Sequence, residues 1–315
     1  KYFFRYASEF GFQSFPSVKT LETVTDDPKE LNPFSYVMEK HQRNYGGNGK
    51  IAKYMQAAYR YPENFSDFVY ASQLLQADGI RYGVEHYRRN RGRCMGAIYW
   101  QLNDCWPVIS WSSIDYYGRW KALHYYAKRF FAPVMLSCEE QSWMTVEADM
   151  NRQHFEFEKS IRLNVTNETL DAHRVLVKWA VRKTDATILR EEEQWLEVPV
   201  LSAVWMDKVE LPQIDCFNEY VSYEAWENDQ IISQGTVIFS YPKYFHYLNP
   251  GLAVRVDGDE IVVRAEAYAK SVEIRNENDD LILEDNYFDM NAGEYRVKIL
   301  DGKPDGLKVR SVYDI

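Results

Sequence analysis

Apolar positions in the first 132 residues alternate between two kinds of pattern. Two short runs are almost continuously apolar, residues 2–10 and 94–102, and predict buried strands. Between and after them, apolar residues recur at helical spacing. A helix is predicted over 33–43, opened by Asn32 as N-cap with Pro33 at the first helical position. The Gly46-Gly47-Asn48-Gly49 run breaks it, and helical periodicity resumes over 50–60. The longest helix is predicted over 66–89. Val69, Leu74, Leu75, Ile80 and Val84 mark its apolar side, and Arg88, Arg89 and Arg91 suit the negative end of its dipole. A further helix is predicted over 120–131, stopped before Pro133. Helices set between buried strands are the βα pattern of parallel sheets and barrels. Two such units are visible where a complete (β/α)8 barrel needs eight.

Near residue 133 the period changes to two. Residues 162–165, 173–181 and 220–226 alternate apolar with polar, separated by turn formers such as Asn228-Asp229. Several short strands with little helix predict a β-sandwich. Tyr241-Pro242 and Asn249-Pro250-Gly251 suggest a second boundary. Beyond it, residues 252–256 and 261–265 flank Asp257-Gly258-Asp259, a hairpin signal. The expected fold class is therefore multidomain, α/β followed by all-β. The domains are drawn at 1–132, 133–241 and 242–315.

Composition narrows the function classes. A chain of 315 residues has room for about two domains. With 46% hydrophobic and 27% charged residues it reads as a soluble globular protein, and no apolar run is long enough to predict a membrane span. The opening residues carry no signal-peptide pattern and read as a strand entered in mid-fold, so the N-terminus of a longer parent is expected to be missing. A formal net charge of −10 makes nucleic acid an unfavourable partner. Cys94, Cys105, Cys138 and Cys216 form no CxxC pair; neither a metal site nor any cofactor is expected, and reduced thiols point to the cytoplasm. The 24 Tyr, 16 Phe and 9 Trp fit well-packed cores, and also surfaces that stack on sugar rings.

Candidate chemistry sits at the ends of the two apolar strands. Glu9 closes the first, in Tyr6-Ala7-Ser8-Glu9-Phe10-Gly11, where barrel enzymes place catalytic groups, and Gly11 would let the backbone turn. A carboxylate there equally fits a surface ion pair. The second strand runs into Trp100-Gln101-Leu102-Asn103-Asp104. An indole beside amide and carboxylate groups suits a sugar site, and equally a core Trp followed by an Asx turn.

The stretch Arg5-Tyr6-Ala7-Ser8-Glu9-Phe10-Gly11-Phe12-Gln13-Ser14-Phe15-Pro16-Ser17 resembles the nucleophile segment of β-mannosidases in glycoside hydrolase family 2. Gly96-Ala97-Ile98-Tyr99-Trp100-Gln101-Leu102-Asn103-Asp104, with Trp106-Pro107, Ser110-Trp111 and Ser112, is similar to their last barrel strand and loop. Trp120 to Ala127 with Phe130-Phe131-Ala132-Pro133 resembles their exit from the barrel. Asp285-Asn286-Tyr287-Phe288-Asp289 with Gly293-Glu294 is similar to a motif of their C-terminal domain. The resemblance implies the C-terminal part of a (β/α)8 TIM barrel followed by two immunoglobulin-like β-sandwiches. It implies Glu9 as nucleophile and Trp100 as the aromatic floor of the cleaved sugar's subsite, followed by a cis peptide; Asn103 and Asp104 are further substrate-binding candidates. The general acid/base, a Glu after an Asn, would lie upstream of this chain.

The substrate expected is a β-mannoside or manno-oligosaccharide, hydrolysed by the parent as a retaining exo-enzyme and not by this stretch alone. The alternative is a non-catalytic carbohydrate-binding or scaffold module of a family 2 glycosidase with another sugar specificity. An incomplete barrel would leave open strand edges, so either self-association through them or a companion segment that covers them is expected.

Overall fold

The computed structural model describes residues 2–146 and 157–315. Of the sandwich predicted over 133–241, residues 147–156 lie outside the described residues. No helix among the described residues is long and apolar enough to cross a membrane. The chain divides into two compact units, one made of 1–7, 83–97 and 129–248, the other of 8–82, 98–128 and 249–315.

The first unit is dominated by a β-sandwich. One sheet joins Val134–Gln141, Ser160–Asn167 and Ser202–Trp205, with Val209–Glu210 also paired to the middle strand. The other runs in the order Gln230–Ile238, Glu219–Glu227, His173–Lys183, Ile188–Val198, all antiparallel. Alternation along these strands sends Leu136, Leu163 and Val165 from one sheet and Val175, Val177, Trp179, Val221 and Tyr223 from the other into a single core. The Asn228-Asp229 turn closes the last hairpin with both residues at positive φ, 50° and 61°, the pairing of twisted strands through a two-residue loop. The same unit buries two guanidinium groups. Arg88 donates to the Phe130 carbonyl at 2.7 Å and Arg89 to the Cys138 carbonyl at 3.2 Å, with Glu85 3.5 Å from Arg89.

The second unit holds most of the helices and a smaller sandwich. Its sheets are Ala253–Asp257, Glu260–Ala265, Gly293–Asp301 and Ile282–Leu283 on one side, and Phe288–Met290, Ala269–Arg275 and Lys308–Arg310 on the other. The Tyr70 hydroxyl donates to the Ser271 carbonyl at 2.6 Å, and Tyr287 donates to Glu273 at 2.8 Å. Arg310 pairs with Glu273 and with Asp67 at 3.0 Å, and its guanidinium lies 4.4 Å from the centre of the Tyr70 ring. Burial pushes the Tyr70 and Tyr287 hydroxyls well above the usual tyrosine range.

Several helix ends differ from the sequence prediction. Phe65–Arg89 forms as one helix, one residue longer than predicted. The predicted 33–43 helix is only Tyr36–Lys40, because Ser35, not Asn32, is its cap: the Ser35 hydroxyl accepts from Met38 N at 3.2 Å, while Asn32 makes a local turn to Phe34 N at 2.9 Å. The glycine run does not separate two helices. Gly46, at φ 65°, caps the next one, which starts at Gly47 and ends at Ala58. The two apolar strands shorten to Ala7–Phe10 and Ala97–Tyr99. The second stops because Gln101 N turns instead to the Trp111 carbonyl, 3.1 Å away.

Candidate functional site

Backbone hydrogen bonds set the two strand ends side by side. Met95 N donates to Arg5 O, Ala7 N to Gly96 O and Trp100 N to Phe10 O, at 2.8, 2.9 and 2.8 Å, so the residue numbers rise together and the pair is parallel. Glu9 and Trp100 therefore stand at the carboxyl ends of adjacent strands. Glu9 is exposed, and among the described residues its carboxylate has no hydrogen-bond or ion-pair partner. The Trp100 ring is also half open, at 50% exposure, and the peptide that follows it, Trp100–Gln101, is cis.

Gly11 has a different task from the one its position suggested. A Cβ there would stand 2.5 Å from the Trp100 carbonyl oxygen and 2.8 Å from Cδ1 of Trp111, closer than real Cβ contacts allow. The absence of a side chain, not a left-handed backbone, is what lets the two strand ends close up.

Asn103 and Asp104 part company in the loop that follows. Asn103 is exposed; its amide donates to the Asp104 carbonyl at 3.3 Å. Asp104 is buried and both its oxygens are engaged: Oδ1 accepts from Ser110 at 2.7 Å and Gln101 at 3.3 Å, and Oδ2 accepts from Ser112 at 2.5 Å. The carboxylate thus ties the loop to the 110–112 segment.

Behind these strand ends lies a buried polar web that periodicity did not reveal. Gln76, in the middle of the Phe65–Arg89 helix and fully buried, accepts from the Ser14 hydroxyl at 2.6 Å. Its amide is within reach of the Phe12, Trp111 and Ser112 carbonyls at 2.8, 3.0 and 3.3 Å. Lys121, 1% exposed, donates to the Ser14 carbonyl at 3.3 Å. Burial pulls its pKa down to about 8, against the opposing pull of Asp104 and Asp115. Asp115 in turn accepts from Thr20 at 2.5 Å. Alternating serines in Ser110-Trp111-Ser112 and a lone lysine in an apolar helix start were the available sequence signals. On the other side, Gln13 donates to Gln42 at 2.6 Å, Gln42 to Asn48 at 2.7 Å, and Asn48 to the Pro33 carbonyl at 2.7 Å. His41 bonds the Pro107 carbonyl at 2.6 Å and stacks on Trp106 with ring centres 4.9 Å apart.

The arrangement is an open carboxylate beside an open indole, both at strand ends held by a rigid buried web, followed in sequence by two sandwiches. Two domain families match the part of the chain that follows the site. Residues 159–244 match a mannosidase Ig/CBM-like domain, and 247–315 match an Ig-fold domain. Among whole proteins, the chain is 29% identical over 337 aligned residues to β-mannosidase B of Thermothelomyces thermophilus, covering 98% of this chain and 39% of that protein. It is 39% identical to the β-mannosidase of Capra hircus over 144 residues, 42% of this chain and 16% of that protein. The solved β-D-mannosidase of Dictyoglomus thermophilum superposes with a TM-score of 0.82 at 25% identity, covering 98% of this chain and 37% of that one. The chain is similar to β-mannosidases over nearly its whole length. It spans about two fifths or less of the length of these relatives.

Proposed function

We propose that this chain supplies the nucleophile and the aromatic floor of the sugar site of a retaining exo-β-mannosidase of glycoside hydrolase family 2, which releases terminal β-D-mannose from β-mannosides and manno-oligosaccharides. Residues 1–132 are read as the C-terminal part of a catalytic (β/α)8 barrel, with sandwiches over 133–241 and 242–315. The observation that carries the proposal is an exposed Glu9, without a partner among the described residues, at the carboxyl end of a strand whose parallel neighbour ends in the half-open Trp100. The kinship with β-mannosidases supports the choice of sugar.

In this mechanism the Glu9 carboxylate attacks the anomeric carbon as the glycosidic C–O bond breaks, giving a glycosyl ester on Glu9. A second carboxyl group, about 5–5.5 Å from the first, protonates the departing oxygen. It then takes a proton from water, whose oxygen attacks the anomeric carbon and frees Glu9. Solvent access keeps Glu9 free to attack, while Trp100 offers a flat apolar face to the C–H side of the sugar. Asn103 is assigned a hydrogen bond to a sugar hydroxyl. Asp104, with both oxygens occupied, acts by fixing the loop that carries Trp100 and Asn103. The second carboxyl group is assigned to the part of the relatives' length that this chain does not span.

The test uses the longer protein and this chain side by side on p-nitrophenyl β-mannoside. The longer protein is expected to turn over and the 315-residue chain alone is not. A fluoro-mannoside inactivator is expected to label the peptide that contains Glu9. Label on any other carboxylate, or preference of the longer protein for a β-galactoside, overturns the assignment.

A further inference from the structure

The sheet of Gln230–Ile238, Glu219–Glu227, His173–Lys183 and Ile188–Val198 has one face in the core of its sandwich. Its other face points to solvent and is not a uniformly charged surface. The registers place Trp195 opposite Leu176, Leu176 opposite Trp226, and Trp226 opposite Ile231, so one apolar row crosses all four strands. Trp195 is 53% exposed and Ile231 43%, while Trp226 is half-buried. Two strand spacings separate the tryptophans, roughly 9–10 Å. That is about the distance between alternate rings of an extended β-linked sugar chain.

A cation lies over one face of each indole. The Arg174 guanidinium lies 4.5 Å from the Trp195 ring centre, and the Lys178 ammonium 5.5 Å from that of Trp226. The Trp226 N–H donates to Glu224 at 2.9 Å. The next row across the sheet reads Glu193, Lys178, Glu224, Gln234, and the one after it Glu191, Ala180, Ser222, Thr236. Small Ala180 and Ser222 lie in a trough of about 380 Å³, lined also by Lys178, Arg182, Glu191, Glu193 and Glu224. That volume lies within the range of small-molecule sites, about 300–1,000 Å³. The chemistry combines apolar planes for C–H faces with carboxylate and amide groups for hydroxyls.

We propose that this sheet face is a second, non-catalytic site that binds β-linked oligosaccharide chains, with Trp195 and Trp226 stacking on alternate rings and Lys178, Glu193 and Glu224 exchanging hydrogen bonds with hydroxyls between them. The site itself does not depend on the catalytic assignment; only the choice of a manno-configured ligand rests on it. Such a site would hold a long substrate near the protein between successive cleavages.

The test is calorimetric titration of the 315-residue chain with mannohexaose. Saturable binding is expected. Trp195→Ala and Trp226→Ala are each expected to weaken it at least about ten-fold, roughly 1.4 kcal/mol, with circular dichroism unchanged. If either truncation disturbs folding, Ala180→Gln, which fills the trough without removing a ring, serves instead and is expected to weaken binding likewise. Tyr45→Ala, which removes a fully exposed ring outside this sheet, is expected to leave it unchanged. Absence of saturable binding overturns the proposal, as does binding that survives the tryptophan and Ala180 changes or is lost equally with Tyr45→Ala. Concentration-dependent self-association abolished by Trp195→Ala, without sugar binding, also overturns it and makes the face a protein contact. Hydrolysis of p-nitrophenyl β-mannoside by the longer protein is scored separately, so failure of the catalytic reading with sugar binding intact sinks only the former.

Discussion

The strand ends around Glu9 and the sandwich around Trp179 are held by opposite means. In the sandwich, two sheets press apolar side chains together into one cluster. At the strand ends, Gln76, Lys121, Asp104, Asp115 and a group of serines are buried together and satisfied by one another and by backbone carbonyls. Apolar packing is tolerant of direction, and fills space with whatever shape fits. A web of hydrogen bonds fixes angles as well as distances, and it does so at a cost in desolvation. The difference suggests that the web exists to hold Glu9, Trp100 and their loop in one geometry. Activity and stability should then separate when residues in the two regions are changed.

The largest separation is expected from Glu9→Gln in the longer protein. Turnover should fall by roughly 10⁴–10⁶-fold, the scale of nucleophile loss. In the 315-residue chain, where Glu9 is exposed and has no partner among the described residues, the unfolding free energy should stay within about 0.5 kcal/mol of the original. A large stability loss would mean that Glu9 is a structural carboxylate. Trp179→Ala is the converse. Trp179 is 3% exposed in the sandwich core, and its truncation should cost about 3–5 kcal/mol of stability, read from urea unfolding. Any turnover measured on the fraction still folded should be close to normal.

Gly11→Ala sits between the two. The new methyl group meets the Trp100 carbonyl and the Trp111 ring, so the strand ends must move apart. A stability cost of about 1–3 kcal/mol is expected. Turnover of the longer protein should fall by at least an order of magnitude, through kcat as well as KM, since the carboxylate and the indole shift relative to one another. An unchanged kcat would show that the close approach of these strands matters for folding only.

Much of the sandwich was legible in the sequence, because alternation along a strand reports directly which face is buried. Residues 173–181 and 220–226 were marked as strands, and the structure extends them to His173–Lys183 and Glu219–Glu227. The Asn228-Asp229 turn needed only the left-handed tolerance of its residue types. The helical region was less legible at its joints. Ser35 competed with Asn32 as cap, and Gly46 served as the start of a helix where a break was expected, since both residue types stop and start helices alike. Of the candidate site, Glu9 and Trp100 could be placed at strand ends from local pattern. The web behind them could not be. Gln76 and Ser14 are 62 positions apart, and Lys121 meets a carbonyl 107 positions away; nothing in a local window marks a glutamine or a lysine as buried. The same holds for Asp104, which reads as a loop carboxylate and is instead enclosed by Ser110 and Ser112.

The smallest effect tests the web through its one buried ammonium. Lys121 has a native pKa of about 8, below the ordinary lysine value of 10.5, because burial disfavours its charge more than Asp104 and Asp115 favour it. Below about pH 8 the group is protonated in both native and unfolded chains, so it adds no pH dependence. Above that point the native chain gives up the proton first, while the unfolded chain holds it until about 10.5. The unfolded state then binds more protons, and stability rises with pH by up to about 1.4 kcal/mol per unit across this window. Tyr70 and Tyr287, raised by burial, also act on stability, but above about pH 10, where the unfolded chain loses phenolic protons that the native chain keeps; their effect has the opposite sign. The clean comparison therefore lies between about pH 8 and about pH 9.5, as the difference in unfolding free energy between the original chain and Lys121→Met, which removes the titration and keeps most of the volume. The original chain should gain stability relative to the variant as pH rises through this range. A difference that stays flat would mean that water reaches the ammonium, and that the strand ends are held less rigidly than the sandwich to which they are compared.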